Sequence, residues 1–267
     1  MDQPQTLSII IPVFNERQTI EELLRRVLQV ELGELEKDIV IVDDGSTDGT
    51  TEWLQEFLRT QDAEGHFGNS AQSESHVTYR NVRVFFHDHN HGKGAALVRG
   101  FQEASGDMIL VQDADLEYDP HDYANLLIPL CQDTADVVYG SRFLASKTPA
   151  WTMAGYIGNK LMTALSNFFT GLSLTDVWTG YKVFKRSVVY PMALNEPGFE
   201  LELELTSKVA YEKCRICEVP ISYCPRSRAD GKKITWKDGI KAIQCLIRYR
   251  QSKLLGQQRQ MQKFLNP

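Results

Sequence analysis

The sequence is poor in the features that would mark a membrane-spanning, secreted or nucleotide-loop protein. Across 267 residues no apolar run approaches the roughly 20 residues that cross a bilayer. The best, Leu7 to Phe14, is broken by Ser8 and Pro12. The opening MDQPQT lacks a cationic region and a small-residue cleavage site, so the cytoplasm is the expected compartment. Cysteine is sparse: Cys131, Cys214, Cys217, Cys224 and Cys245 are an odd, scattered set and do not form a secreted disulfide framework. Cys214 and Cys217 make a lone CxxC with neither a second pair nor a nearby histidine, which favours packing over zinc. There is no internal repeat, no Gly-x4-Gly-Lys-Ser/Thr and no GxGxxG, which argues against a P-loop enzyme and a dinucleotide-binding dehydrogenase.

What is present is ordinary globular composition with an uneven charge. Hydrophobic residues make up 42% and charged residues 24%, which excludes a wholly disordered or collagen-like chain. The net charge is −6, but from Arg226 onward eleven Lys or Arg face only Asp230 and Asp238, a net +9. The first 225 residues carry 18 basic and 33 acidic residues, a net −15. The tail is therefore a distinct segment that favours phosphates or anionic lipid. Nucleic acid is not an expected partner, because no aromatic stacking platform or reader motif accompanies the basic residues.

Short β-branched runs alternate with helical patterns in the first half, the signature of a mainly parallel sheet covered by helices. Strands are predicted near Leu7–Val13, Asp38–Val42, Val82–His87, Asp107–Gln112 and Ala135–Gly140, and helices over Glu16–Gln29, Thr50–Arg59, Gly94–Ala104 and Asp119–Cys131. Gln61 to Arg80 reads as a polar surface loop. Later, Trp151–Thr170 and Leu201–Tyr211 read as helices and Ile216–Tyr223 as a strand. CPRSRADGKKIT, between Tyr223 and Trp236, reads as a basic loop. Trp236, Ile240, Ile243 and Ile247 then share one helix face, with Lys237, Lys241 and Arg248 off it, a basic amphipathic helix.

Several clusters carry chemistry. Asp113, Ala114 and Asp115 follow the apolar run MILVQ, where open α/β sheets bind ligands, and Glu117 adds a third acid at the same alternate spacing. If the chain stays extended there, all three carboxylates point to one side and suit Mg²⁺ or Mn²⁺ bridged to a diphosphate. A lone DxD is a weak signal, since such acids also cap helices. Asp43 and Asp44 end the run VIVDDGSTDGT and read either as a strand end with a helix cap or as acceptors for a base N–H or ribose hydroxyls. HGKG at 91–94 opens a helix and offers backbone N–H groups and Lys93 to a phosphate.

The order of these segments is more specific than any one of them. IIIPVFNE (9–16), IVDDGSTDGT (41–50), NHGKGAALVRG (90–100), GDMILVQDADLEY (106–118) and YGSRF (139–143) resemble the family-two inverting glycosyltransferases, most of all the polyprenyl (dolichyl) phosphate mannosyl- and glucosyltransferases. The resemblance continues through LTDVWTGYKVFKR (174–186), FELELELTSKVA (199–210) and EVPISYCPRSRADGKKITWKDG (218–239). It implies an α/β GT-A fold, a Rossmann-like nucleotide-diphospho-sugar transferase with a mainly parallel central sheet flanked by helices. It also implies a nucleotide-sugar donor and a divalent metal, Mg²⁺ or Mn²⁺. The implied division is a catalytic domain over 1–225 (1–118 for the nucleotide sugar, 119–225 for the acceptor), then a basic loop and amphipathic helix over 226–267.

Carried over by position, Pro12, Phe14 and Glu16 match the first nucleotide-contacting loop, and Val42, Asp43 and Asp44 match the base and ribose site. Asp113 and Ala114 match nucleotide contacts, Asp115 the direct metal ligand, and Glu117 falls where mannosyltransferase relatives often place Gln and is expected to complete the metal shell. Arg142 matches the arginine of the GSR motif near the donor phosphate and acceptor. Arg228 and Lys233 resemble the pair that closes over the diphosphate, with a spacing shorter by one, which leaves Arg226 and Lys232 as substitutes.

Charge then dictates the chemistry. Negative charge develops on the leaving nucleoside diphosphate, so a metal at Asp115 and cations at Arg142, Arg228 and Lys233 would favour the transition state. A polyprenyl phosphate acceptor is already anionic and needs no base. A hydroxyl acceptor needs one, for which Asp176, Glu200 and Glu202 are the candidates, although acids at a helix N-terminus are equally explained by its dipole. Trp151 and Trp178 could line an acceptor groove or simply be buried. Relatives often carry C-terminal membrane helices and this chain reaches Pro267 without them. The expectation is therefore peripheral contact with the cytoplasmic membrane face through the helix Trp236–Leu255, or a membrane-protein partner. A glycan or small-molecule hydroxyl acceptor, a sugar-1-phosphate nucleotidyltransferase and a non-catalytic nucleotide-sugar sensor are the competing readings; IPVFNE is not the Gly-rich, Arg-containing loop of the second.

Overall fold

The computed structural model describes residues 4–64, 81–145, 153–226, 239 and 241–251. Its first strand, β1 (Thr6–Val13), is almost continuously apolar because both of its faces are covered. Leu7, Ile9, Ile11 and Val13 enter one core and Ile10 the other, as the two-residue period requires. There follow α1 (Ile20–Gln29), β2 (Glu36–Asp43), α2 (Thr50–Glu64), β3 (Val82–Phe86), α3 (Lys93–Glu103) and β4 (Met108–Val111). A single 3-10 turn, Pro120–Asp122, leads into α4 (Tyr123–Cys131), then β5 (Val137–Ser141), α5 (Met153–Thr170), β6 (Lys182–Lys185), α6 (Arg186–Val189), α7 (Leu201–Tyr211) and β7 (Ile216–Pro220).

The seven strands form one sheet in the order β3-β2-β1-β4-β6-β5-β7. Only β6 runs against its neighbours, pairing antiparallel with β4 and β5. Helices α1, α2 and α4 cover one face, burying residues such as Leu23, Phe57 and Leu126. Helices α3, α5 and α7 cover the other with Leu97, Met162 and Leu203. This is the expected α/β arrangement, with boundaries shifted by a few residues. Helix α1 begins at Ile20 rather than Glu16, because Asn15 adopts a left-handed φ of 54° and Glu16 closes a turn by accepting from the Thr19 and Ile20 N–H groups.

The described part of the C-terminal helix, 241–251, keeps Ile243 and Ile247 of the predicted isoleucine face partly outward. It packs through Ala242, Cys245 and Leu246, all essentially inaccessible, whereas Ile243 and Ile247 are 37% and 41% exposed. Helix α5 is likewise unusual. Its inward face presents Asn159, Thr163 and Ser166 beside Met162, while Met153, Ile157, Leu161 and Phe168 stand outward, each more than half exposed. Among the described residues no helix is long and apolar enough to cross a membrane.

Candidate active site

Strand order locates the site. The chain proceeds outward from β1 to β2 and β3, then returns to place β4 on the other side of β1. The carboxyl ends of β1 and β4 therefore flank the switch point at which open α/β sheets bind ligands. Phe14 and Glu16 leave one strand there, and Asp113, Ala114 and Asp115 leave the other. The end of β2 is adjacent, with Pro12 in register with Val42 and Val13 with Asp43.

The three acids after β4 do not point to one side. The chain turns at Ala114–Asp115, and Leu116 takes a left-handed φ of 60°, which ends the alternation that an extended strand would give. Asp113 pairs with Lys93 at 2.7 Å, and Lys93 lies 3.4 Å from Glu202. Glu202 also accepts from the Lys182 ammonium, which donates to the Thr179 carbonyl at 2.5 Å. Asp113, Lys93, Glu202 and Lys182 thus form a chain of alternating charge, half-buried at Asp113 and Lys93 and buried at Glu202 and Lys182. Burial disfavours the charge on Lys93, but Asp113 and Glu202 outweigh it and hold the ammonium protonated well above the usual lysine range. At Lys182 burial prevails over Glu202 and the shift is downward. Gly180 leaves room for this chain, since a Cβ there would stand 2.3 Å from Asp113 Oδ2.

Asp115 and Glu117 take different roles. Asp115 keeps a quarter of its side chain exposed, with Oδ2 3.6 Å from the Arg226 guanidinium. Arg226 also donates to the Asp115 carbonyl at 2.9 Å and to Glu16 Oε2 at 2.9 Å, which joins the loops after β1 and β4. Glu117 accepts from the Tyr223 hydroxyl at 2.6 Å and from the Arg226 N–H at 2.8 Å. Its carboxylate fastens the 223–226 segment. The surroundings nevertheless fit a divalent cation at Asp115: the donor atoms are hard oxygens, and the acids already draw Lys93 and Arg226 toward them.

Arg142 is 6% exposed and is held as a fork on Asp176, at 2.7 and 2.8 Å, with a further bond to the Trp178 carbonyl at 3.0 Å. Its guanidinium also lies 4.9 Å from the centre of the Tyr223 ring. Asp176 is positioned in turn by Glu218 on β7, which accepts from the Thr175 and Asp176 N–H groups at 2.7 and 3.0 Å. Burial pushes Glu218 up.

At the end of β2 both carboxylates are engaged by the protein. Asp43 accepts from the Ser46 hydroxyl at 2.5 Å and from the Thr51 hydroxyl. Asp44 accepts from the His91 and Gly92 N–H groups at 3.0 and 2.7 Å, with His87 Nδ1 2.7 Å away. These side chains shape the loops, so the expected contacts to base and ribose meet carboxylates already hydrogen-bonded. Arg228, Lys233, Lys232, Trp151 and Trp236 lie outside the described residues. Trp178 packs against the core. Cys214 and Cys217 belong to no group of metal-ligating side chains among the described residues. A depression of about 360 Å³ beside α3, lined by His87, His91, Arg99 and Glu196 among others, contains none of Asp113, Asp115, Glu117 and Arg142.

An acid-rich switch point on a seven-stranded, mostly parallel sheet with one reversed strand defines the GT-A class of nucleotide-sugar transferases, and solved structures agree. Glucosyl-3-phosphoglycerate synthase from Mycobacterium tuberculosis, crystallised with Mg²⁺ and uridine diphosphate, superposes with a TM-score of 0.64 at 18% identity, over 93% of this chain and 79% of that one. Residues 8–191 match the family Glycosyl transferase family 2, and the chain belongs to that family. A dolichol-phosphate mannosyltransferase of Pyrococcus furiosus is 31% identical over 85% of this chain and 58% of its own length. An undecaprenyl-phosphate mannosyltransferase of Micrococcus luteus is 28% identical over 84% and 85%. The dolichyl-phosphate beta-glucosyltransferase of Saccharomyces cerevisiae is 28% identical over 96% and 77%. The chain thus spans under two thirds of the Pyrococcus relative.

Proposed function

We propose that this chain transfers one sugar, glucose or mannose, from a nucleotide-diphosphate donor to a polyprenyl or dolichyl phosphate at the cytoplasmic face of a membrane. The names of the relatives support the acceptor class. One structural observation carries the choice over a hydroxyl acceptor. Each carboxylate nominated as a general base is paired with a cation: Asp176 with Arg142, Glu202 with Lys93 and Lys182, and Glu200 with Lys241 at 3.5 Å. A carboxylate already engaged by a cation must give up that contact before it can reach an acceptor hydroxyl, whereas a phosphate monoester, with a second pKa of about 6, requires no base.

In this reading an acceptor phosphate oxygen forms the new bond to the sugar C1, the C1–O bond to the diphosphate breaks, and its electron pair leaves on the nucleoside diphosphate. No proton moves. Pro12, Phe14, Glu16, Val42, Asp43, Asp44 and Ala114 would build the walls of the nucleotide site. Asp115 would hold Mg²⁺ or Mn²⁺, and Asp113 would position Lys93 and the charge chain behind it. A divalent cation supplies neutralisation of the departing diphosphate. Arg142 would orient phosphate while Asp176 fixes its plane. Arg226, Arg228 and Lys233 supply further positive charge on the segment beyond β7. The outward apolar stripe of α5 supports peripheral contact with the membrane.

The test is turnover with UDP- and GDP-sugars and Mn²⁺ or Mg²⁺, with and without a short polyprenyl phosphate. Lipid-dependent transfer is expected, falling about 10²–10³-fold in Asp115→Ala. Donor hydrolysis indifferent to lipid would instead favour a hydroxyl acceptor.

A further inference from the structure

Three of the six histidines fall within five residues, in the run His87-Asp88-His89-Asn90-His91. They lie on the loop between β3 and α3. The proposed transfer uses none of Asp88, His89 or His91, yet their side chains converge. Asp88 Oδ1 lies 2.9 Å from His89 Nδ1 and 2.9 Å from His91 Nε2. The three ligand-capable atoms lie within 4.8 Å of one another. The rings of His89 and His91 stand 4.0 Å apart, centroid to centroid.

Those separations are close to what a metal requires. An ion bound tetrahedrally at roughly 2.0–2.2 Å keeps its ligand atoms about 3.4 Å apart, so each 2.9 Å contact need open by only about half an ångström. Both imidazoles can present a lone pair at the converging nitrogen by carrying the ring proton on the other one.

The loop is also held in place from beneath. Asp44 accepts from the His91 and Gly92 N–H groups. Gly45 lets the two loops close on each other, because a Cβ there would come within 2.5 Å of the His89 carbonyl carbon. A backbone fixed by contacts independent of the ligands spares binding much of the ordering entropy. All three side chains are exposed, so an ion reaches them and water can complete its shell.

We propose that Asp88, His89 and His91 form a surface site for a borderline first-row transition ion such as Zn²⁺, Ni²⁺ or Co²⁺, separate from the divalent-cation position at Asp115. Two imidazoles and one carboxylate suit these ions, whereas Mg²⁺ prefers an all-oxygen shell.

The test is calorimetric titration of the full chain with Zn²⁺ or Ni²⁺ in excess Mg²⁺, beside His89→Ala/His91→Ala and Asp88→Asn. The expected result is one equivalent in the wild type, bound at least about tenfold more weakly by the double variant and measurably more weakly by Asp88→Asn. The Co²⁺ complex should show d–d bands without thiolate charge transfer, which separates this site from the five cysteines. Equal uptake by the wild type and the double variant would overturn the proposal, as would a thiolate band. Thermal melts without metal check that the variants are folded; if the double variant is not, the Asp88→Asn titration and the Co²⁺ spectrum still decide.

Discussion

Glu202 sits between two ammonium groups, and its neutral isostere isolates what its charge contributes. In Glu202→Gln, Lys182 loses its carboxylate and Lys93 keeps only Asp113. Breaking a buried ion pair from one side leaves an uncompensated cation, typically at about 3–5 kcal/mol. The expected outcome is a calorimetric melting temperature lower by roughly 6–20 °C, with the helix and strand content of the folded state unchanged. An unaltered melt would mean that the chain of charges is not coupled to folding. None of this pairing is visible in the order of residues, because it joins positions 93, 113, 182 and 202 across two helices, one strand and the loop that leaves another. Residue types are legible and partners are not. Asp115 stands out through the order of the segments around it, since a lone DxD is a weak signal, whereas Lys182 sits inside KVFK with no sign that its ammonium is buried.

Helix α5 is built in reverse of the usual amphipathic rule, with hydrogen-bonding side chains inward and a stripe of Met153, Ile157, Leu161 and Phe168 outward. Its inward groups serve the 174–177 loop: Asn159 donates to Asp176 at 3.3 Å, and the Thr163 hydroxyl accepts from the Val177 N–H at 3.3 Å. The outward stripe contributes nothing to that support, so it can be changed without disturbing the interior. Ile157→Glu/Leu161→Glu should melt within about 1–2 °C of the wild type, since exposed positions carry little stability. The same variant should bind anionic phospholipid vesicles at least about tenfold more weakly, given about 1.5–3 kcal/mol for each fully buried aliphatic side chain. Sedimentation with vesicles reads this directly, and unchanged partitioning would remove α5 from the membrane contact. The helix itself was legible from Trp151–Thr170, but its orientation was not, because periodicity identifies an apolar stripe without saying what covers it. The C-terminal helix taught the same lesson, with Ile243 and Ile247 outside and Ala242, Cys245 and Leu246 inside. Strand β6 went unrecognised for another reason: four residues are too short for a period, and its reversed pairing comes from the tertiary fold.

One acid ties together the first three strands, β1, β2 and β3. Asp38 on β2 accepts from the Ser8 hydroxyl on β1 at 2.7 Å, from the Arg83 guanidinium on β3 at 2.8 Å and from the Ser105 hydroxyl beyond α3 at 3.0 Å. Burial alone would raise its pKa, but these donors outweigh burial and hold the carboxyl below the usual aspartate range. A depressed folded value means that its contribution is complete above the unfolded pKa, about 3.9, and is lost as pH falls below that through the folded value. Wild-type stability, followed by urea melts from pH 6 to 2.5, should therefore decline on the acid side. Asp38→Asn should start lower at pH 6 and decline less over the same interval. Parallel curves would place the acid sensitivity elsewhere. The α/β layering and the strand alternation were legible because central parallel strands are apolar on both faces and so conspicuous. The convergence of the loops was not, because it depends on which strand returns to which side of β1.

The clamp on Arg142 has a consequence for how faults in assembly become visible. Glu218 belongs to β7, one of the two edge strands of the sheet, paired on one side only among the described residues. Edge strands are where register is least protected, and a slip of one residue carries each side chain to the opposite face. A slip here would leave most of the hydrophobic interior intact while withdrawing the carboxylate that seats Thr175 and Asp176. Under the role proposed for Arg142, molecules misregistered at this rim would pass a test of compactness and fail one of phosphate handling, so the fraction of active sites in a preparation would report the fidelity with which its last strand was zipped.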